Sequence, residues 1–501
     1  MPSSSVSILP EPKLEFRYGQ ALEDPHDGLS MFGPYDADMA AQPGSISYGV
    51  IGTERGIESF VRWAGVMAGP ILPSTGVNRR VWPTFPGFEA AFACDWPTQP
   101  SRTIALNELK LTQATRNLDA NKRAAEVVQL YLEGIERLAK RDESFGVIIC
   151  VVPDIVYANC RPKSHITNGV GFTPTRRVRA ERARGQRDLF DDYDPLIYQY
   201  SVDFRRQIKA RSMRYGIPIQ IVQESTLELD TEGIAFRRRL TSLNDRAWNL
   251  AVALYYKAGG KPWRLHSARP GVCYVGMAYR RRELDPHSRS ACCAAQMFLD
   301  SGDGIVFMGE FGPWYSPERN DFHLARPAAK RLLEGVLSTY QQVEGKPLNE
   351  VFLHCRSSIG EEEFAGFRDG CPKRVRLVAI RVRQERSDIR LFREGAYPVL
   401  RGTFWAIDDQ KGYLWGSGFK PRLATYDGWE VPAPLRIEIQ HGEGDIDQVA
   451  SDIFGLTKLN YNACRLGDSQ PVTIGFSDAV GEILVSNPAV KERSPKFKFY
   501  I

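Results

Sequence analysis

No run of about eighteen consecutive apolar residues occurs in this 501-residue chain, so no segment reads as a membrane-spanning helix. The opening stretch, MPSSSVSILPEPKLEF, has neither the basic start nor the apolar core of a secretory leader, and a cytoplasmic protein is expected. Cysteine is sparse and scattered: Cys94, Cys150, Cys160, Cys273, Cys292, Cys293, Cys355, Cys371 and Cys464, with no CxxC pair. That spacing offers neither a zinc site nor a disulfide framework, which leaves reduced thiols. The seven histidines include no HxxxH pair, so metal ligation through histidine is not expected. GFSDAVG (475–481) sets a serine among glycines, but not at the spacing of a nucleophile elbow. Internal repeats and long low-complexity tracts are missing too.

Apolar residues at 43% and charged residues at 25% are ordinary globular usage, and the length fits roughly two to three domains. The net charge of +5 is modest, but the cations are clustered. Residues 172–188, FTPTRRVRAERARGQRD, are dense in arginine; further clusters fall at Arg205–Arg206, Lys209–Arg211, Arg237–Arg239 and Arg280–Arg282. One such run is a solvated loop as readily as a binding surface. Several on folded segments point to a polyanionic partner.

Strand-like and helix-like segments alternate through the first half. SISYGVIG (45–52), SRTIALNEL (101–109), SFGVIICVVPDIVY (144–157), a buried strand ending at its proline, and GIPIQIVQEST (216–226) read as strands. Between and after them, ERGIESFVRWAGVM, residues 121–141, RRQIKARSMRYG and residues 243–260 have helical periodicity. That alternation predicts a parallel sheet with helices on both faces. Gly259-Gly260 is a helix stop and a plausible boundary. Beyond it, residues 272–282 and 302–314 read as successive strands joined by a turn, residues 325–345 as a helix, and 349–358 and 374–385 as strands. A meander followed by helix-linked strands suits a ribonuclease H-like domain.

Arg205 and Lys209 lie four residues apart and share one helix face. Gln220 follows on the next strand, and Lys257 sits in the last turn of the next helix. Two lysines, an arginine and an amide from adjacent elements could cradle a terminal phosphate. The alternative is a solvated helix face plus a lysine that favours the helix dipole.

The order Arg205-x3-Lys209, Gln220, then Lys257 before Gly-Gly resembles the 5′-phosphate pocket of the Argonaute MID domain. GIPIQIVQESTL, KAGG, PWRL and YVGM, in that order, resemble the MID-to-PIWI passage of short prokaryotic Argonautes. LPEPKLEFRYGQ…DPHDGLSMFGPYD, VWPTFPGFEAAF and IICVVPDIVYANCRPKS are similar to that group as well. The resemblance implies an α/β chain with a Rossmann-like MID domain over residues 1–260, including an N-terminal extension, and a ribonuclease H-like PIWI domain over 261–501. It leaves no segment for the N or PAZ domains. It also implies Mg²⁺ at the guide 5′ phosphate, assisted by a C-terminal carboxylate, here that of Ile501 in the apolar tail KFKFYI. The alternative for that tail is that it merely closes an edge strand.

Active PIWI domains hold two metal ions on acidic residues. By resemblance the first aspartate belongs at Ala278, in YVGMA, and another at Ser357, in Arg356-Ser357-Ser358. Asp478 and Glu310 are the remnants of the other two positions. Two missing ligands of four leave too little negative charge for two metals, which implies no catalytic residues and no cleavage. The rival is an active guide-dependent endonuclease whose displaced carboxylates are Asp300, Asp303 or Glu361–Glu363. A third reading is a nucleic-acid-binding module that uses no guide. The partners implied by the resemblance are a guide RNA, a single-stranded DNA target and an APAZ-domain effector, a TIR or sirtuin-like NAD hydrolase or a nuclease, in antiviral defence.

Overall fold

The computed structural model describes residues 5–141, 143–166, 194, 196–229, 240–281, 291–298, 304–316, 321–344, 347–385, 389–395 and 398–501. VIICVV forms the strand Val147–Val152, six apolar residues in succession and all buried. A strand covered on both faces reads this way. Val147, Ile149 and Val151 pack with Phe60, Trp63 and Trp248 on one side. Ile148, Cys150 and Val152 pack with Val127, Tyr131 and Ile208 on the other. Tyr48–Gly52 and Ile219–Gln223 flank this strand and Arg102–Ala105 forms an edge, all four parallel. The expected parallel sheet with helices on both faces is therefore present in the first half.

Helices Glu54–Met67 and Leu243–Ala258 supply the first cluster, and Ala120–Ala139 and Phe204–Ser212 the second. Thr53 caps the first helix by accepting from the Gly56 N–H at 3.0 Å. Leu243–Ala258 ends where Gly259 takes φ +112°, a left-handed conformation that a side chain would strain.

Two expectations need correction. The strand drawn over 101–109 is Arg102–Ala105; Asn107 then caps a helix, Glu108–Thr115, by accepting from Lys110 N. The buried strand in 144–157 ends at Val152, before its proline as expected, and Pro153 precedes the helix Asp154–Asn159. Residues 272–282 and 302–314 are not joined by a turn, because Ala291–Phe298 is a strand between them.

The second half is built on a nine-stranded mixed sheet. Val272–Arg281, Ala291–Phe298 and Gly304–Gly312 form an antiparallel meander. Glu350–Cys355 then lies parallel between Val272–Arg281 and Arg376–Gln384. Leu435–His441, Lys411–Leu414 and Thr403–Asp408 continue antiparallel from Arg376–Gln384. Cys273, Val275, Met277 and Tyr279 face the helix Arg326–Glu344 through Leu333, Val336 and Tyr340. The alternate face of the same strand packs on the helix Val472–Val485. Contact there is so close that a Cβ on Gly276 would lie 2.0 Å from the Thr473 carbonyl oxygen.

The two halves are stitched together. Ser5–Ile8 adds an edge strand beside Thr403–Asp408, and Leu14–Glu15 pairs with Arg264–Leu265. One apolar cluster contains both Trp248 and Phe352. Among the described residues, no helix is long and apolar enough to cross a membrane.

Candidate nucleic-acid interface

The four residues of the anticipated anion pocket converge. Arg205, Lys209, Gln220, Lys257 and Ile501 all line one cavity of about 520 Å³ that runs along the edge strand Ile219–Gln223 and reaches Val152, the last residue of Val147–Val152. Asp203 caps the helix Phe204–Ser212 by accepting from Arg206 N at 3.1 Å, and that helix starts at the cavity. Exposed N–H groups at a helix start favour an anion. Lys257 Nζ donates to Gln220 Oε1 at 2.7 Å, to the Ile219 carbonyl at 3.0 Å and to the Ile501 main-chain oxygen at 2.6 Å. Lys209 Nζ donates to the Tyr500 carbonyl at 2.9 Å. The apolar tail is thus docked inside the protein, with Tyr500 and Ile501 each 2% exposed.

The cavity is strongly electropositive. Arg161, Arg205, Lys209, Arg246 and Lys257 line it, against a single side-chain carboxylate, Asp203. Apart from the Ile501 oxygen, the acceptors that hold the two lysines are neutral carbonyl or amide oxygens, which satisfy donors without cancelling charge. Burial pushes Lys257 down to about 7, Arg205 adds to that shift and Cys150 opposes it. Lys209 is held well below its ordinary value by burial first, then by Arg205 and Lys257. Arriving negative charge would reverse these shifts.

Two lining residues escaped the sequence reading. Tyr157 is half-exposed, and the Arg161 guanidinium sits over its ring, 4.7 Å from the centroid. The signal for Tyr157 was Pro153 followed by Asp154, the start of the helix Asp154–Asn159.

The second group also converges, around the helix Val472–Val485. Ala278 is buried on Val272–Arg281, and Ser357 follows Glu350–Cys355. A Cβ on Gly481 would lie 4.0 Å from the Ala278 Cβ and 3.2 Å from Arg280 Cγ. One turn away, Asp478 is ion-paired to Arg356 at 2.6 Å and to Arg280 at 3.6 Å. Glu482 pairs with Arg280 at 3.1 Å and with Arg206 at 2.7 Å. The remaining carboxylates at this place are thus held by guanidinium groups.

Of the rival carboxylates, Glu363 accepts from the Tyr279 hydroxyl, on the sheet face opposite Ala278, and lies 3.4 Å from His323. Glu361 and Glu362 start the helix Glu361–Asp369 and are exposed. The Glu310 side chain, Asp300, Asp303, Arg237–Arg239, Arg282 and the arginine-rich run at 172–188 lie outside the described residues.

No family model and no curated protein matches the chain. Solved structures do. Clostridium butyricum Argonaute bound to a guide DNA with a 5′ deoxycytidine and a 19-mer target DNA matches 99% of this chain and 55% of its own, with TM-score 0.62 and 15% identity. Aa-Ago with externally bound siRNA matches 99% of this chain and 56% of its own, with TM-score 0.56 and 13% identity. The chain therefore spans about half the length of these Argonautes, and at such identities the likeness is one of fold.

Proposed function

We propose that this chain is the guide-directed recognition subunit of a prokaryotic defence system. It binds a 5′-phosphorylated guide, RNA in this reading, and displays it for pairing with a single-stranded DNA target. The observation that carries the reading is the convergence of Arg205, Lys209, Gln220 and Lys257 in one electropositive cavity. Residues 1–260 act as the MID domain and residues 261–501 as a ribonuclease H-like PIWI domain; the meander leading into parallel strands supports the second assignment. Pairing supplies sequence specificity, and arginine and lysine hold the backbone.

Mg²⁺ fits the pocket chemically, since Asp203 and Ile501 are hard oxygen donors of the kind that ion takes. In this reading the terminal carboxylate of Ile501 holds it beside the phosphate, where it neutralises charge. Residues appended after Ile501 should then weaken guide binding.

The chain does not cut. Ala278 and Ser357 stand where carboxylates are required, and Asp478 is committed to Arg356 and Arg280. Output falls to an APAZ-containing partner with a TIR or sirtuin-like NAD hydrolase, or a nuclease, which target binding switches on.

The test is the Lys209→Ala, Lys257→Ala double variant. Hydrogen bonds to charged groups contribute about 1.5–3 kcal/mol each, so losing both lysines should cost a 5′-phosphorylated guide at least about a hundredfold in affinity. A 5′-hydroxyl guide should bind as before. Retention of the phosphate preference would refute the pocket.

A further inference from the structure

The helix that carries Arg205 and Lys209 is anchored from the other half of the chain. Asn487 lies two residues beyond the helix Val472–Val485 and is fully buried. Its Oδ1 accepts from Ser201 N at 3.1 Å. Its Nδ2 donates to the Arg206 carbonyl at 3.3 Å and to the Ile483 carbonyl at 2.8 Å. Both amide hydrogens and the amide oxygen are thus committed. Two of the three bonds end on the segment that opens Phe204–Ser212, and the third ties the amide back to its own helix.

Ser201 passes that hold to the start of the helix. Its hydroxyl oxygen accepts from Asp203 N at 3.1 Å, and its carbonyl accepts from Gln207 Nε2 at 2.7 Å. Asp203 caps the helix and lines the cavity together with Arg205 and Lys209. Ser201, Gln207 and Asn487 are all buried, where an unmade hydrogen bond is costly and the geometry is held firmly. The ion pair of Arg206 with Glu482 spans the same joint, but both side chains are partly open to water and the tie is weaker.

We propose that Asn487 and Ser201 are positioning residues for the phosphate pocket. They fix the start of Phe204–Ser212 so that Arg205, Lys209 and the first N–H groups of the helix converge on one anion. Donors aimed at a ligand need such outer-shell support to hold their geometry to about half an ångström. The proposal rests on the 5′-phosphate reading above and adds that a side chain of the second half sets the geometry of a pocket whose cations come from the first.

The full chain is titrated with two guides of one sequence, 5′-phosphorylated and 5′-hydroxyl, and the ratio of the two affinities is read. Removing the outer-shell partner of a metal ligand costs about 10–100-fold, and the same scale sets the expectation here. Asn487→Ala should lower the ratio about tenfold, with the 5′-hydroxyl guide bound as by the parent chain. Ser201→Ala should lower it too, whereas Ser201→Thr, which keeps the hydroxyl, should hold the parent ratio. Gly276→Ala is the control for a merely loosened fold. Its Cβ meets the Thr473 carbonyl at the opposite end of the same helix, and its melting temperature should fall while the ratio holds. Thr473 is roughly 20 Å from Asn487 at about 1.5 Å per residue. The parent ratio in a folded Asn487→Ala, or an equal drop in Gly276→Ala, would leave Asn487 a structural residue only and overturn the proposal. If Asn487→Ala does not fold, the Ser201 pair decides, and equal ratios in Ser201→Ala and Ser201→Thr overturn it. Failure of the phosphate reading itself would appear separately, as a ratio near one in the unvaried chain.

Discussion

Two places in the molecule treat positive charge in opposite ways. Beside the smaller sheet Lys209 and Lys257 are buried and held mainly by neutral carbonyl and amide oxygens, so their charge is desolvated with little compensation. In the larger sheet Arg280 and Arg356 are half-exposed and face carboxylates. The first arrangement stores an unfavourable desolvation that an arriving anion would offset. The second is nearly balanced at rest and can exchange partners without refolding.

The largest effect expected is structural. Trp248 is fully buried on the helix that carries Lys257, and its cluster extends to Phe352 in the larger sheet. Trp248→Ala should cost about 3–5 kcal/mol. Because the core is shared, urea denaturation should report one transition by both fluorescence and circular dichroism. Separate transitions would mean that the two places stand on independent supports.

Gly276→Ala acts on the larger sheet alone. Its Cβ would meet the Thr473 carbonyl and push the helix bearing Asp478 off the strand, at about 1–3 kcal/mol. Urea midpoints should fall accordingly, while the preference for a 5′ phosphate stays as in the parent chain. Loss of that preference would show that the pocket depends on the larger sheet.

The smallest effect separates lysine from arginine. With Lys257 near 7 in the empty pocket, raising the pH from 7 to 9 removes a proton that phosphate binding must restore. Affinity for a 5′-phosphorylated guide should fall by up to tenfold per pH unit, although the phosphate itself stays dianionic above about pH 6. The empty protein responds with the opposite sign. Its folded state binds fewer protons than the unfolded chain between pH 7 and the ordinary lysine value, so this group adds stability as pH rises. Target pairing by the loaded chain should stay flat, since guanidinium keeps its charge. A target affinity that fell in step with guide affinity would undo the distinction.

The pocket was readable because its cues are local. Arg205 and Lys209 share a helix face by spacing alone, and Gly259 marks where the helix of Lys257 stops. The parallel sheet was equally plain in VIICVV. Tyr157 and Arg161 were not legible, because the helix Asp154–Asn159 after Pro153 is short and Arg161 reaches the pocket from beyond its end. The ion pairs of Arg280 and Arg356 with Asp478 have no local signature. They exist only through the register of two strands, and the tie to Arg206 depends on how one helix bridges both sheets. The expectation at Ala278 and Ser357 came from sequence alone; the guanidinium groups that hold Asp478 could not be read there.

Most direct is a competition titration of the unvaried chain with two guides of identical sequence, one carrying a 5′ phosphate and the other a 5′ hydroxyl. Convergence of Arg205, Lys209, Gln220 and Lys257 on one terminal phosphate predicts about a hundredfold preference for the phosphorylated guide at pH 7. Equal affinity for the two would contradict it.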